Sequence, residues 1–260
     1  MEIKKKKIST LNRKLVAVLA CRNTSARLYG KPFQNLDINN NYSILDNIIN
    51  CLKKIRVINK IVLSISEGKA NYDYIDYAKR NKIKYVIGSE KDVLKRLILG
   101  AKKVKASDIF RVTTESPFIY YQMVNKAWNI HLKENADTTM IKNIVDGIGF
   151  AIHTAESLAI SHKNGKSKHR SELCGLYIME NPNKFKIVKL HADKILCRND
   201  IRLTVDYPED LVLCREVFKK FKKNAPLIDV KKIMRFLNKN PKLTKPTLKY
   251  VDKKFWKLYV

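Results

Sequence analysis

An α/β fold with a mostly parallel sheet is the architecture this 260-residue sequence predicts. Two observations carry the prediction. Short apolar runs alternate with amphipathic stretches at the spacing of strand–helix–strand–helix units, which argues for parallel strands with helical crossovers. The first such run, Leu15 to Ala20, is apolar at every position, as a strand covered on both faces should be. A third observation fits the same fold. Directly after that strand, one loop gathers Arg22, Thr24, Ser25, Arg27, Gly30 and Lys31. Open α/β sheets bind ligands at the carboxyl ends of their strands. Hydroxyls, guanidinium forks and backbone N–H groups there suit a polyphosphate. Neither a Walker loop nor a G-x-G-x-x-G fingerprint is present.

The elements follow in order. Met1 to Arg13 is a basic lead-in. Ser43 can cap a helix that places Ile44, Leu45, Ile48, Ile49, Leu52 and Ile55 on one face. Ile61 to Ile65 reads as the second strand, Ala70 to Arg80 as a helix, and Ile83 to Ile87 as the third strand. A helix over Asp92 to Val104 and a fourth strand over Ile109 to Thr113 come next. Tyr120 to Glu134 reads as a helix, and Thr138 to His153 as short strands around a turn at Asp146-Gly147. Glu156 to Ser161 and Lys168 to Met179 are expected to be helical, and Phe185 to Leu190 and Ile201 to Val205 extended. Pro208 fits the first turn of a helix reaching Phe221, and Asp229 to Leu237 forms another. From Pro241 on, the sequence reads as a poorly defined tail containing Trp256. With no internal repeat and no linker, residues 14–260 are expected to form a single domain.

The net charge of +29 raises nucleic-acid and anionic-membrane binding as functions. The lysines are spread along the whole chain, and no zinc finger, RNA-binding signature or basic base-reading helix appears. The charge therefore predicts attraction of anionic small molecules and no specific nucleic-acid partner. No apolar run reaches the roughly 18 residues of a membrane span. The basic N-terminus lacks the apolar core of a secretory signal, so a cytoplasmic location without membrane association is expected. Cys21, Cys51, Cys174, Cys197 and Cys214 are odd in number and widely spaced, which suggests neither a zinc site nor a disulfide framework. Cys51 and Cys214 fall on apolar helix faces, and Cys21 has no partner for a nucleophile's role.

Four segments are more specific than charge or periodicity. Arg22 to Pro32 reads R-N-T-S-A-R-L-Y-G-K-P, Gly88 to Arg96 reads G-S-E-K-D-V-L-K-R, Arg111 to Pro117 reads R-V-T-T-E-S-P, and Arg202 to Leu211 reads R-L-T-V-D-Y-P-E-D-L. Each lies at the end of a predicted strand. Together they resemble the sugar-acid cytidylyltransferases: the CMP-Kdo synthetases, the acylneuraminate cytidylyltransferases and the spore-coat polysaccharide branch. The resemblance spans Leu15 to Leu211, with the segments in the family's order. Tyr29 replaces the proline usual in the first, Thr114 and Glu115 replace Gly-Asp in the third, and Tyr207 replaces a threonine in the fourth.

The resemblance implies a three-layer, Rossmann-like (GT-A-like) nucleotidyltransferase. It implies that Arg22, Ser25, Arg27 and Lys31 hold the triphosphate of CTP, with Asp92 and Arg96 facing the nucleotide pocket. Glu115 and Asp206 would ligate the cofactor Mg²⁺, and Arg22, Lys31 and Asp206 would be the catalytic set. Asp146, Gly147 and Glu172 fall where the family places its sugar site, with the family's histidine missing or displaced to His169. The implied reaction joins CTP to an ulosonic-type sugar acid and releases pyrophosphate, for surface polysaccharide biosynthesis. The implied partners are CTP and the sugar acid, and the implied assembly is a homodimer. Acidic residues also favour a helix N-terminus by themselves, so Glu90, Asp92, Glu209 and Asp210 have a capping role open to them. A catalytically degenerate binder of the same ligands, with Glu115 as the lesion, is the competing reading. A nucleic-acid-binding protein is a third.

Overall fold

The computed structural model describes residues 12–251. The basic lead-in falls largely outside that range, as does Trp256. Seven strands form one sheet in the order β5-β4-β1-β6-β8-β7-β9. They are β1 (Leu15–Cys21), β4 (Ile58–Ser66), β5 (Lys84–Gly88), β6 (Asp108–Arg111), β7 (Thr138–Lys142), β8 (Ala151–Thr154) and β9 (Ile187–His191). Strand β1 pairs in parallel with β4 and β6, and β4 in parallel with β5. The antiparallel strand β8 lies between β6 and β7, and β9 returns to a parallel pairing with β7. A two-stranded hairpin, β2 (Asn35–Asp37) and β3 (Tyr42–Ser43), was not apparent in the sequence pattern and follows the basic loop.

The alternation along β1 shows how the layers form. Leu15, Ala17, Leu19 and Cys21 join one buried cluster, with side chains of α1 (Ile44–Lys54), α2 (Tyr72–Arg80), α4 (Val124–Lys133), α7 (Pro208–Phe221) and α8 (Val230–Lys239). Val16 and Val18 point the other way, into a second cluster with α3 (Val93–Lys103) and α5 (Ala155–Asn164). A sheet covered by helices on both faces gives three layers, as the apolar strand predicts. Helix α1 begins as expected: Ser43 Oγ accepts from Asp46 N at 3.1 Å, and Asp46 Oδ2 accepts from Ser43 N at 2.9 Å.

Three expected elements differ. Ile201 to Val205 is no strand, and its sole ladder contact among the described residues is an isolated bridge between Arg202 and Asp146. All five residues are buried, so the apolar pattern reported burial without a ladder partner. Lys168 to Met179 is not one helix. A 3₁₀ turn over Ser167–Arg170 is followed by a break and then by the short α6 (Leu176–Met179). Ser171 Oγ donates to Lys168 O and accepts from Leu173 N, an arrangement that competes with the helical ladder. Finally, the described part of the tail is ordered into 3₁₀ turns, Pro241–Leu243 and Lys245–Tyr250.

Candidate functional site

The basic loop is shaped by its backbone before its cations matter. Gly30 N donates to Asn23 O at 3.0 Å and closes the loop, and Gly30 takes φ 58°, a conformation that favours glycine. Asn23 is buried, with its N–H on Asn71 Oδ1 at 2.8 Å and its amide donating to Ala70 O at 2.7 Å. The loop is thereby anchored to the segment that opens α2. Its cations are left projecting from the carboxyl end of β1, and Ser25 sits partly exposed among them.

Two of those cations converge on Asp206. Lys31 Nζ lies 2.6 Å and Arg27 Nη2 2.9 Å from Asp206 Oδ1. Arg202 Nη2 holds the other oxygen, Oδ2, at 2.6 Å. Burial opposes ionisation of Asp206, but the hydrogen bond and charge of Lys31, with the Arg27 and Arg202 charges, hold its pKa below the usual carboxylate value. The backbone here is fixed by Asp210, whose Oδ2 accepts from the N–H groups of Asp206 and Tyr207 at 3.0 and 2.9 Å. Asp210 is therefore a helix cap, in the role its position in the first turn of α7 favours.

The segment before α7 is stitched to two other predicted blocks. Val205 N donates to Glu115 O at 2.9 Å, and Leu203 N to Asp146 O at 2.7 Å. A Cβ on Gly147 would lie 2.4 Å from the carbonyl carbon of Leu203, so only glycine allows the Asp146 turn to approach this closely. Glu115 and Asp146 thus sit beside the Asp206 segment. Burial raises the Glu115 pKa; the Arg111 charge opposes this and the Asp206 charge adds to it. Burial also pushes Asp146 up to about 6, against the charge of Arg202. Burial above all disfavours the charged form of both, and the Asp206 charge adds to it, a condition that a bound cation would relieve.

Arg22, the third cation of the loop, turns to carboxylates of two other segments. Its Nη2 lies 3.3 Å from Glu172 Oε1 and its Nη1 3.7 Å from Glu90 Oε1, while Thr24 Oγ1 donates to Glu90 at 2.9 Å. The expected sugar-site Glu172 is therefore brought to the nucleotide loop. Asp92 caps α3 by accepting from Lys95 N at 2.8 Å, and its other oxygen is 2.7 Å from His162 Nε2. Arg96 is 2% exposed and donates to Cys21 O at 3.1 Å, so it buttresses the end of β1 from beneath. Both nitrogens of His169 are engaged, with Lys166 N at 2.7 Å and Glu180 Oε2 at 2.8 Å. Cys21 is buried, and burial pushes its thiol up to about 12, which removes it as a nucleophile.

Sequence reasoning gave no role to Arg202, Tyr207 or Tyr250. Arg202 had a signal, an arginine four residues before a carboxylate in the same motif. Tyr207 showed only as a departure from the family pattern, and Tyr250 had no signal.

Among the described residues no cluster of three His, Cys, Asp or Glu side chains has the arrangement of a metal site. What is present is a pair of hard oxygen donors, Glu115 and Asp206, beside cations suited to phosphate. That set fits Mg²⁺, which binds through one or two carboxylates and completes its shell with substrate phosphates and water.

Comparison with known proteins agrees with this geometry. The profile of the cytidylyltransferase family matches residues 16–242. An uncharacterised protein of Methanocaldococcus jannaschii is 31% identical over 230 residues, covering 88% of this chain and 93% of that one. The spore coat polysaccharide biosynthesis protein SpsF of Bacillus subtilis is 24% identical over 232 residues, covering 87% and 95%. Among solved structures, a cytidylyltransferase from Leptospira borgpetersenii superposes with a TM-score of 0.81 at 20% identity, covering 90% of this chain and 98% of its own. A CMP:2-keto-3-deoxy-manno-octonic acid synthetase complexed with CTP gives 0.62 at 12% identity, covering 80% and 99%. These likenesses share the three-layer, mostly parallel nucleotidyltransferase fold. With the family profile running from β1 through α8, the chain belongs to the cytidylyltransferase family.

Proposed function

We propose that this protein transfers the cytidylyl group of CTP to an ulosonic-type sugar acid, giving a CMP-sugar and pyrophosphate for surface polysaccharide synthesis. The observation that carries this reading is the convergence of Arg27 and Lys31 on Asp206, at 2.9 and 2.6 Å. A triphosphate entering the loop offers Arg22, Arg27 and Lys31 a better partner than the carboxylates they now hold, because charge-assisted bonds to phosphate are strong and, for arginine, bidentate. Asp206 Oδ1 is thereby freed, with Oδ2 still held by Arg202, and Glu172 is freed with it. Residues 14–260 act as one nucleotidyltransferase domain in this reading, and the protein works in the cytoplasm, as a dimer, without nucleic acid or membrane.

The chemistry is in-line displacement. The anomeric hydroxyl oxygen of the sugar acid bonds to the α-phosphorus as its proton passes to solvent water, and the bond from that phosphorus to the bridging oxygen breaks as pyrophosphate leaves. When bound, Mg²⁺ supplies charge neutralisation at the phosphoryl oxygens and orientation of the nucleophile. Glu115 and Asp206 would hold it. Lys31 and Arg27 stabilise the charge that builds on the leaving group, and Arg22 orients the triphosphate. Asp146 and Glu172 offer acceptors to the sugar's hydroxyl groups.

The test is pyrophosphate release with the four nucleoside triphosphates, followed by a panel of sugar acids with CTP. CTP is expected to be preferred, and a stronger response to ATP or UTP would remove the cytidylyl assignment. Glu115 in place of aspartate favours one second reading, a binder that has lost turnover. In that case the wild type is inactive and Glu115→Asp gains activity.

A further inference from the structure

Tyr250 lies outside every motif above, yet it touches the Asp206 segment in three ways. Its ring stacks on Tyr207 at a centroid distance of 3.6 Å and an interplanar angle of 5°. Its carbonyl oxygen accepts from Arg202 Nη1 at 2.7 Å. Its hydroxyl donates to Glu209 Oε1 at 2.9 Å, beside the Lys249–Glu209 ion pair at 3.0 Å. Each contact falls on a neighbour of Asp206. Tyr207 follows it directly, Glu209 lies in the first turn of α7, and Arg202 Nη2 is 2.6 Å from Asp206 Oδ2. Tyr207 in turn lies under the Arg27 guanidinium, 5.2 Å from ring centroid to Cζ.

We propose that Tyr250 is a positioning residue for the metal-ligating carboxylate, acting through Arg202 and Tyr207. The guanidinium of Arg202 is 6% exposed and forks between Tyr250 O and Asp206 Oδ2. Fixing one tine of a planar fork fixes the direction of the other. The stacked ring holds Tyr207 where Arg27 can lie on it, so the same residue also steadies a triphosphate cation. The C-terminal turn Lys245–Tyr250 is in this way part of the site, although some forty residues separate it from Asp206. Tyr207 in place of the threonine of the motif supplies the aromatic surface that Tyr250 needs.

This inference rests on the cytidylyltransferase reading, because it concerns the metal ligand that reading assigns. Mn²⁺ binding in the presence of CTP, followed by paramagnetic resonance of the free ion, tests it together with kcat and the KM for CTP. Tyr250→Ala keeps the main-chain carbonyl but removes the ring stack and the hydroxyl bond that hold it against Arg202, and is expected to weaken Mn²⁺ binding about tenfold. It should lower kcat by a similar factor and move KM less. Tyr250→Phe keeps the stack and should recover most of the Mn²⁺ affinity. If Tyr250→Ala fails to fold, Glu209→Gln, which weakens the hydroxyl's acceptor and removes the exposed Lys249 ion pair, is expected to shift Mn²⁺ affinity two- to threefold. Wild-type Mn²⁺ affinity in Tyr250→Ala would overturn the proposal and leave the functional reading intact. Should Tyr250→Ala not fold, wild-type affinity in the Glu209→Gln single variant would overturn it equally. A wild type that binds no Mn²⁺ with CTP and releases no pyrophosphate with any sugar acid would overturn the functional reading, and this proposal with it.

Discussion

Lys31 is 12% exposed and sits 2.6 Å from Asp206, so its removal leaves a partly buried carboxylate facing Arg27 and Arg202 alone. Lys31→Ala should weaken CTP binding roughly ten- to hundredfold, the worth of one charge-assisted contact of about 1.5–3 kcal/mol. Calorimetric titration with CTP measures this, and unchanged affinity would mean that the loop does not hold the triphosphate. Glu115 poses a sharper question at the same scale. Its carboxylate is partly buried, with Arg111 and Asp206 as its main charged neighbours. Glu115→Gln removes one formal charge at nearly constant volume and is expected to abolish metal-dependent turnover while leaving the fold intact. Glu115→Asp keeps a hard, charged ligand and should retain activity with a shifted Mg²⁺ or Mn²⁺ requirement. Pyrophosphate release across a metal titration separates the two. A Glu115→Gln protein as active as the wild type would assign the ion to Asp206 and the triphosphate.

The elements that carry these side chains are fastened by two buried polar groups. On β6, Asp108 accepts from Arg13 Nε at 2.8 Å and lies 3.0 Å from His131 of α4. Burial raises the Asp108 pKa, but the bonds from Arg13 and His131 outweigh it and hold the group below its ordinary value. Its contribution is therefore complete above the unfolded carboxylate pKa, near 4, and lost as pH falls through the lower folded value. Asp108→Asn should cost about 3–5 kcal/mol at neutral pH, since it strands a buried guanidinium. On β8, His153 is buried and bonded to Thr138 of β7 at 2.9 Å; burial, with the charges of His131 and Arg111, lowers its pKa to about 3. The unfolded chain binds the proton first, so stability should fall below about pH 6.5, by up to about 1.4 kcal/mol per pH unit. Denaturant melts from pH 8 to 4 check this: the slope between pH 6.5 and 4.5 should flatten in His153→Gln. Much of this layer was legible in the sequence, because strand alternation and capping residues act locally. The strand over Leu15 to Ala20 and the Ser43 cap were readable for that reason. The path of residues 201–205 was not, because burial against the Asp146-Gly147 turn leaves the same apolar pattern as a strand. The four motif blocks could be read, since each keeps its chemistry within ten residues or so. Tyr250 could not, because its role exists only where the tail meets the segment before α7.

For the molecule as a whole, the net charge of +29 creates a field that draws anionic ligands toward a cleft already lined by Arg22, Arg27 and Lys31. At physiological salt the screening length is about 8 Å, so much of the distant lysine charge acts only in dilute buffer. The association rate for CTP should therefore fall as KCl rises from 20 to 300 mM, with the dissociation rate changing less. Stopped-flow binding measures both, and a salt-independent association rate would remove the steering role. The separation of Asp206 from its partners in the chain has a further consequence. Lys31 and Asp206 are 175 residues apart, and Arg27 and Asp206 are 179. At about 5–20 residues per second, a ribosome needs roughly 10–35 s to travel from the loop to the carboxylate that neutralises it. Throughout that interval β1, β4 and β5 can assemble around a loop whose cations have no Asp206 to rest on. Completing the chain is what gives Arg27 and Lys31 their internal partner.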